Sequence, residues 1–171
     1  VWQVMLQPSY GPINEFLRTI GIENPPKWLV DEHWALIAIM LINIWSQVGY
    51  YVAVYMSGLK NVPADLYEAA QIDGASSIQQ FRYITVPQVS PTTFFLAIMG
   101  IIGSFKVFDM ISVLTAGGPG NSTSVMAYYI YKTAFTDFKM GYACALAWVL
   151  FLLIFAVTLV QWKFQDRFAN E

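Results

Sequence analysis

Charge is what this sequence has least of. Only 12% of its 171 residues carry a charged side chain, against about 25% in an ordinary soluble domain. A chain this poor in charge cannot clothe itself in polar surface, which excludes a freely soluble globule and points to an integral membrane protein. The formal net charge of -2 argues against nucleic acid as a partner, and none is expected. Cysteine and histidine each occur once, as Cys144 and His33. One cysteine cannot close an internal disulfide, and the pair cannot form a metal-ligand set. No nucleophile–base or carboxylate pair stands out, so the chain itself is not expected to be an enzyme. It opens on Val1 without a signal peptide, and the expectation is that the N-terminal part of a longer protein is missing.

Long apolar runs are abundant instead. Trp34 to Leu59 carries no charge over 26 residues. As a helix it measures about 39 Å, longer than the ~30 Å hydrocarbon core, so it must tilt or protrude. Ala143 to Trp162 is again uncharged and stops at Lys163. Between them, residues 91–116 read as a span that starts after Pro91. Its charged turn, Lys106 and Asp109, lies roughly 22 Å along, in the far leaflet. Trp28, Trp34 and Trp162 fall near span ends as interfacial anchors. The reading is therefore all-α, a polytopic bundle with three spans. Residues 60–90 and the tail then share one side of the membrane, and residues 7–33 and 117–140 the other. Lys60, Arg82, Lys163 and Arg167 balance Arg18, Lys27, Lys132 and Lys139. The positive-inside rule does not choose between the two orientations.

Two loops have internal pattern. Residues 7–32 hold four prolines and a short amphipathic piece around Ile13 to Ile20. Residues 116–124, AGGPGNSTS, form a turn cluster before a short helix over Val125 to Phe135. That cluster is glycine-rich, yet no Lys-Ser/Thr follows, so it is not a phosphate loop. The loop at 60–90 is better organised. Pro63 suits the first turn of a helix, and ADLYEAAQI follows, with Leu66, Ala69 and Ala70 on one face. Asp73-Gly74 is a turn signal in which glycine supplies positive φ. Ser76 to Gln79 fits a capping box that starts a second helix. Pro87 and Pro91 are expected to end the pattern and set the angle into the next span. Physics alone leaves an amphipathic hairpin resting on lipid and a docking surface for a partner equally open.

Polar residues inside the spans have two readings each. Asn43, Ser46, Gln47 and Tyr50 fall at i, i+3, i+4 and i+7, one stripe near mid-span. Such a stripe faces protein or water. It serves either hydroxyl-rich solute or hydrogen bonds between helices. Lys106 and Asp109, at i and i+3, pair on one face if the helix is continuous. They form either a snorkelling pair at the outer boundary or an outer gate. The small-residue pairs Ala53/Ser57, Gly100/Ser104 and Ala143/Ala147 mark close helix packing.

Glu68-Ala69-Ala70, Asp73-Gly74-Ala75, Phe81, Ile84 and Pro87 together resemble the EAA loop of binding-protein-dependent ABC importer permeases. Gly11-Pro12-Ile13-Asn14, Ile44-Trp45, Phe108-Asp109 and Thr115 to Pro119 with Thr123 are similar to the sugar-permease branch. The ending is more similar to the maltose- and glycerol-phosphate-type first permease. The resemblance implies that residues 1–171 are the C-terminal half of one transmembrane permease domain with about six spans, three of them absent here. It implies a bacterial cytoplasmic (inner) membrane location, with residues 60–90 inside. It implies a second permease subunit, an ABC ATPase dimer and an extracytoplasmic solute-binding protein as partners, besides the lipid bilayer. ATP and Mg would sit on the ATPase, and no cofactor is expected on this chain. Glu68, Ala69, Ala70, Asp73, Gly74 and Pro87 would couple to the ATPase, with Glu68 in an anchoring role. The substrate would be a sugar, with glycerol-phosphate or another small polar solute as the alternative. Outside transport, a membrane scaffold or sensor binding a cytosolic protein remains open.

Overall fold

The computed structural model describes the backbone of residues 1–168 and the side chains of residues 1–163. The described residues are helical with no strand. Arg167, one of the basic residues counted above, has its side chain outside this range.

Three stretches are long and apolar enough to cross a membrane: Glu32–Lys60, Ser77–Leu114 and Met140–Lys163. Helix α3 (Glu32–Lys60) and helix α9 (Met140–Phe168) cover the first and third expected spans and overrun them at both ends. In an apolar medium the backbone must satisfy its own hydrogen bonds, so both helices run unbroken through their uncharged stretches, and α9 continues past Lys163.

The middle span departs from expectation at both ends. Helix α5 (Ser77–Gln80) passes into a π-helical turn, π1 (Phe81–Thr85), and then into α6 (Val86–Phe105). The span therefore begins before Pro87 and carries Pro91 inside it, where both prolines were expected to end the local helix. The wide turn explains the difference. Proline has no N–H and its ring crowds the carbonyl four residues back, so a regular α-turn into Pro87 is disfavoured. In π1 the Val86 N–H reaches back to the carbonyl of Phe81, opening the turn immediately before Pro87. At the other end the helix stops at Phe105, and α7 (Asp109–Leu114) restarts after a break at Lys106 to Phe108.

The chain divides into two units. One combines Val1–Ser46 with Gly103–Ile154. Its buried centre is Leu6, Ala38 and Ile42, packed by Trp2, Ile13, Trp28, Leu29, Met110 and Leu114. Here α1 (Trp2–Met5) and α2 (Pro12–Thr19) precede α3. Helix α2 is the amphipathic piece: Gly11 caps it, Pro12 opens it, and Glu15 and Arg18 match the helix dipole at its two ends. Asn14 on α2 is fully buried. Its amide donates to the carbonyls of Pro8 (3.3 Å) and Pro26 (3.1 Å) and accepts from Trp28 Nε1 (2.6 Å). Two loop segments, around Pro8 and around Pro26 to Trp28, are thereby pinned to one side chain.

The turn cluster in the same unit is folded tightly. The Thr115 and Thr123 hydroxyls lie 2.8 Å apart, and buried Thr123 donates to the Gly118 carbonyl at 2.7 Å. Tyr128, on α8 (Met126–Tyr131), donates to the Ala116 carbonyl at 2.8 Å. Helix α8 continues into a second π-turn, π2 (Lys132–Thr136), so the helix expected over 125–135 is half α and half π.

The second unit combines Gln47–Ile102 with the C-terminal stretch from Phe155. Within it α3 and α6 approach closely. A Cβ on Gly58 would lie 2.6 Å from Thr92 Oγ1, and one on Gly100 would lie 2.5 Å from the Tyr51 hydroxyl. The small-residue reading of Gly100 thus has a physical basis: the phenol end of Tyr51 fills the place of its side chain.

Candidate functional site

The loop between the first two spans is built from local signals that agree with one another. Pro63 lies one position before helix α4 (Ala64–Ile72), as its N-cap and not inside its first turn. The exit from α4 is a Schellman motif. The Gly74 N–H bonds the Gln71 carbonyl (3.0 Å) and the Ala75 N–H bonds the Ala70 carbonyl (2.9 Å). Gly74 has φ +78°, a left-handed conformation that side-chain-bearing residues resist. Glycine here stops a helix and fixes the turn with two hydrogen bonds, so it is a locked corner more than a free hinge.

One residue later the capping box closes. The Ser76 N–H donates to Gln79 Oε1 at 2.8 Å, and the Gln79 N–H reaches Ser76 Oγ at 3.4 Å. Gln80 Nε2 adds a bond to the Ala75 carbonyl at 3.2 Å. The two short helices are held corner to corner without a long linker.

The loop has an inner and an outer side. Tyr67, Ala70, Ala75, Gln80, Ile84 and Thr85 are half-buried. Leu66, Ala69, Ile72, Ile78, Phe81 and Tyr83 are exposed, with Ile72 at 88% and Ile78 at 79%. The face expected from Leu66, Ala69 and Ala70 is therefore split: Ala70 turns inward beside Tyr67, and the other two turn outward. Glu68, Asp73 and Pro87 are exposed, and among the described residues no side chain pairs with Glu68. The anchoring expected of Glu68 is not made by a side chain among the described residues. Tyr67 and Thr85 are the residues that sequence reasoning missed. Their hydroxyls lie 2.8 Å apart, across 18 positions of chain. Only the i, i+3 spacing of Tyr67 to Ala70 could have signalled that this tyrosine turns inward.

The stripe on α3 is less organised. Asn43 is half-buried, while Ser46, Gln47 and Tyr50 are exposed. Ser46 Oγ donates back to the Ile42 carbonyl at 2.8 Å, inside its own helix. Tyr50 meets Tyr51 edge-on at 6.0 Å and borders a groove with Ser57, Asn61 and Thr92. All four lie on one helix, and of the four Tyr50 borders that groove.

Lys106 and Asp109 are both exposed, and they do not pair. The i, i+3 argument needed a continuous helix, but α6 has ended before Lys106, and Asp109 opens α7 as the acidic residue of its first turn. There it complements the partial positive charge of the new N-terminus.

Comparison with known proteins puts these features in a family. The family of binding-protein-dependent transport system inner membrane components matches residues 2–170. A probable ABC transporter permease of Bacillus subtilis, YurN, is 38% identical over 96% of this chain. The sulfoquinovosyl glycerol transport system permease SmoG of Agrobacterium fabrum is 37% identical over 89% of it. The sn-glycerol-3-phosphate permease UgpA of Pectobacterium atrosepticum is 31% identical over 99%. The chain covers 56%, 49% and 57% of these proteins, about half the length of each. A chain of the bacterial alginate ABC transporter, solved in complex with an alginate pentasaccharide-bound periplasmic protein, superposes with a TM-score of 0.85 at 27% identity. That match covers 97% of this chain and 58% of the other. With the family matched along its length and three helices fit to cross a membrane, the chain belongs to the binding-protein-dependent transport system inner membrane components.

Proposed function

We propose that this chain is part of the permease of an ATP-driven importer and that residues 60–90 are its contact with a cytoplasmic ATPase dimer. The observation that carries the reading is the construction of that loop. Two short helices are locked at Gly74 and Ser76, and their outward side exposes Leu66, Ala69, Ile72, Ile78 and Phe81. A loop that only rested on lipid would need the apolar side but not the rigidity. A loop that transmits displacement needs both. In this reading Glu68 and Asp73 face the partner's rim, and Ala69 lets the partner's backbone come close. Pro87 follows the wide turn in the first turn of α6.

A second permease subunit completes the path, and an extracytoplasmic solute-binding protein delivers the solute. The solute is of the sugar or polyol class, which the relatives carrying sulfoquinovosyl glycerol and glycerol-3-phosphate names and the alginate structure support. Asn43, Gln47 and Tyr50 are the groups of this chain offered to it, because amide and phenol hydroxyl both donate and accept. Lys106 and Asp109 lie toward the outer end of the middle span and serve the outer gate as two separate charges.

The test reconstitutes the complete gene product with its neighbouring permease and ATPase in lipid and measures ATP hydrolysis with and without loaded binding protein. Stimulation by loaded protein is expected. Failure of the ATPase to associate with the permease overturns the reading in favour of a scaffold or sensor.

A further inference from the structure

The loop is joined to the middle span by two routes, and only one is the backbone. The backbone route runs from α4 through the Gly74 corner and α5 into π1, then α6. Within π1 the hydrogen-bond register widens, so that the Val86 N–H is bonded five residues back to Phe81. Pro87 follows and donates nothing. A push on the short helices must cross this weakly bonded turn before it reaches α6. Wide turns of this kind lie where a helix changes register.

The second route bypasses the turn. Tyr67 stands in the middle of α4, and Thr85 closes π1 at the edge of α6. Their hydroxyls meet at 2.8 Å, and both residues are half-buried. Partial shielding from water strengthens such a bond and raises the cost of breaking it. We propose that Tyr67 and Thr85 are positioning residues: their hydroxyl–hydroxyl bond straps α4 to the root of α6, so that the EAA-like helices and the middle span move as one body across the π-turn. The proposal rests on the importer reading and deepens it. That reading says where force enters, and this bond says how force reaches the membrane.

The geometry makes the strap separable from bulk. Tyr67→Phe and Thr85→Val each delete one hydroxyl and keep the shape, whereas Thr85→Ser keeps the hydroxyl. The experiment uses the reconstituted complex from the complete gene product. It measures solute transported per ATP hydrolysed, together with amide hydrogen exchange over residues 81–86. In Tyr67→Phe and Thr85→Val, transport per ATP is expected to fall roughly fivefold, the worth of about one net hydrogen bond. Exchange in the π-turn accelerates in the same variants. The double variant loses no more than either single one, because both remove the same bond. Thr85→Ser keeps the hydroxyl and is expected to behave as wild type in both readouts; a loss as large as that of Thr85→Val would assign the effect to the lost methyl group and overturn the strap.

Unchanged hydrogen exchange in Thr85→Val overturns the strap itself, whatever the ATPase does. Faster exchange with an unchanged transport ratio leaves a structural bond only and overturns its role in transmission. A wild-type complex whose ATPase ignores loaded binding protein overturns the importer reading, and the transmission role with it.

Discussion

A Cβ added at Gly74 would meet nothing within 4 Å, so the position is reserved for glycine by its φ of +78° and not by space. Valine there must either adopt a left-handed backbone, at about 1–2 kcal/mol or more for a β-branched residue, or unlock the Schellman corner. Gly74→Val is expected to leave the complex assembled while stimulated hydrolysis no longer drives transport. Asparagine, which tolerates the left-handed region, should retain most of it. The ratio of transport to hydrolysis for the two variants is the check, and equal ratios would remove the corner from the coupling path. The corner and the capping box were legible because both depend on residues within a few positions of one another. Asn14 was legible only as part of Gly11-Pro12-Ile13-Asn14. Its partners lie 6, 12 and 14 residues away on an irregular path that no periodicity encodes. Tyr67 escaped notice for the same reason, since Thr85 is 18 positions away.

Among elements, the uncharged runs foretold both ends of α3 and the start of α9 closely, because backbone groups in an apolar medium must bond within the helix, whereas α9 runs on past Lys163 to Phe168. The middle span was misjudged because proline was read as a stop. A wide turn placed just ahead of Pro87 lets the helix carry on, and sequence periodicity has no signal for an inserted residue. The break at Lys106 to Phe108 was read as a charged turn within one continuous helix, since apolar residues resume after Asp109. The small-residue spacings anticipated close packing at Gly100 but did not include Gly58, where the approach of α3 to α6 can be tested. A methyl group there would meet the Oγ1, Cβ and Cγ2 atoms of Thr92 at 2.6 to 3.2 Å. Gly58→Ala is expected to destabilise the protein by about 1–3 kcal/mol, the range for overpacking. Adding Thr92→Ala removes two of the three obstructing atoms and should recover most of that loss. Thermal unfolding in detergent measures both, and simple additivity of the two changes would show that α3 and α6 do not meet at this point.

For the molecule as a whole, orientation is the property least available from its parts. Basic residues divide evenly between the two sides, and Trp45, Trp148 and Trp162 are each more than 60% exposed in the isolated chain. The apolar surface says that lipid or further protein must cover the spans, but it has no polarity along the membrane normal. The importer reading does have one, since it requires residues 60–90 to face the ATPase. Cys144 is the one cysteine of this sequence; once it and any cysteine elsewhere in the gene product are replaced by serine, single cysteines report sidedness. Ser77 lies exposed at the start of α5, and Asp137 lies exposed just beyond π2, at opposite ends of the expected topology. In intact cells a membrane-impermeant thiol reagent is expected to label Asp137→Cys and to spare Ser77→Cys. In inside-out vesicles the pattern should reverse. If Ser77→Cys is labelled from outside, the loop cannot reach a cytoplasmic ATPase, and the exposed side of Leu66, Ile72, Ile78 and Phe81 must serve a partner outside the cell. The rigid construction of the loop would stand, but the importer reading and the strap's role in transmission would both fall.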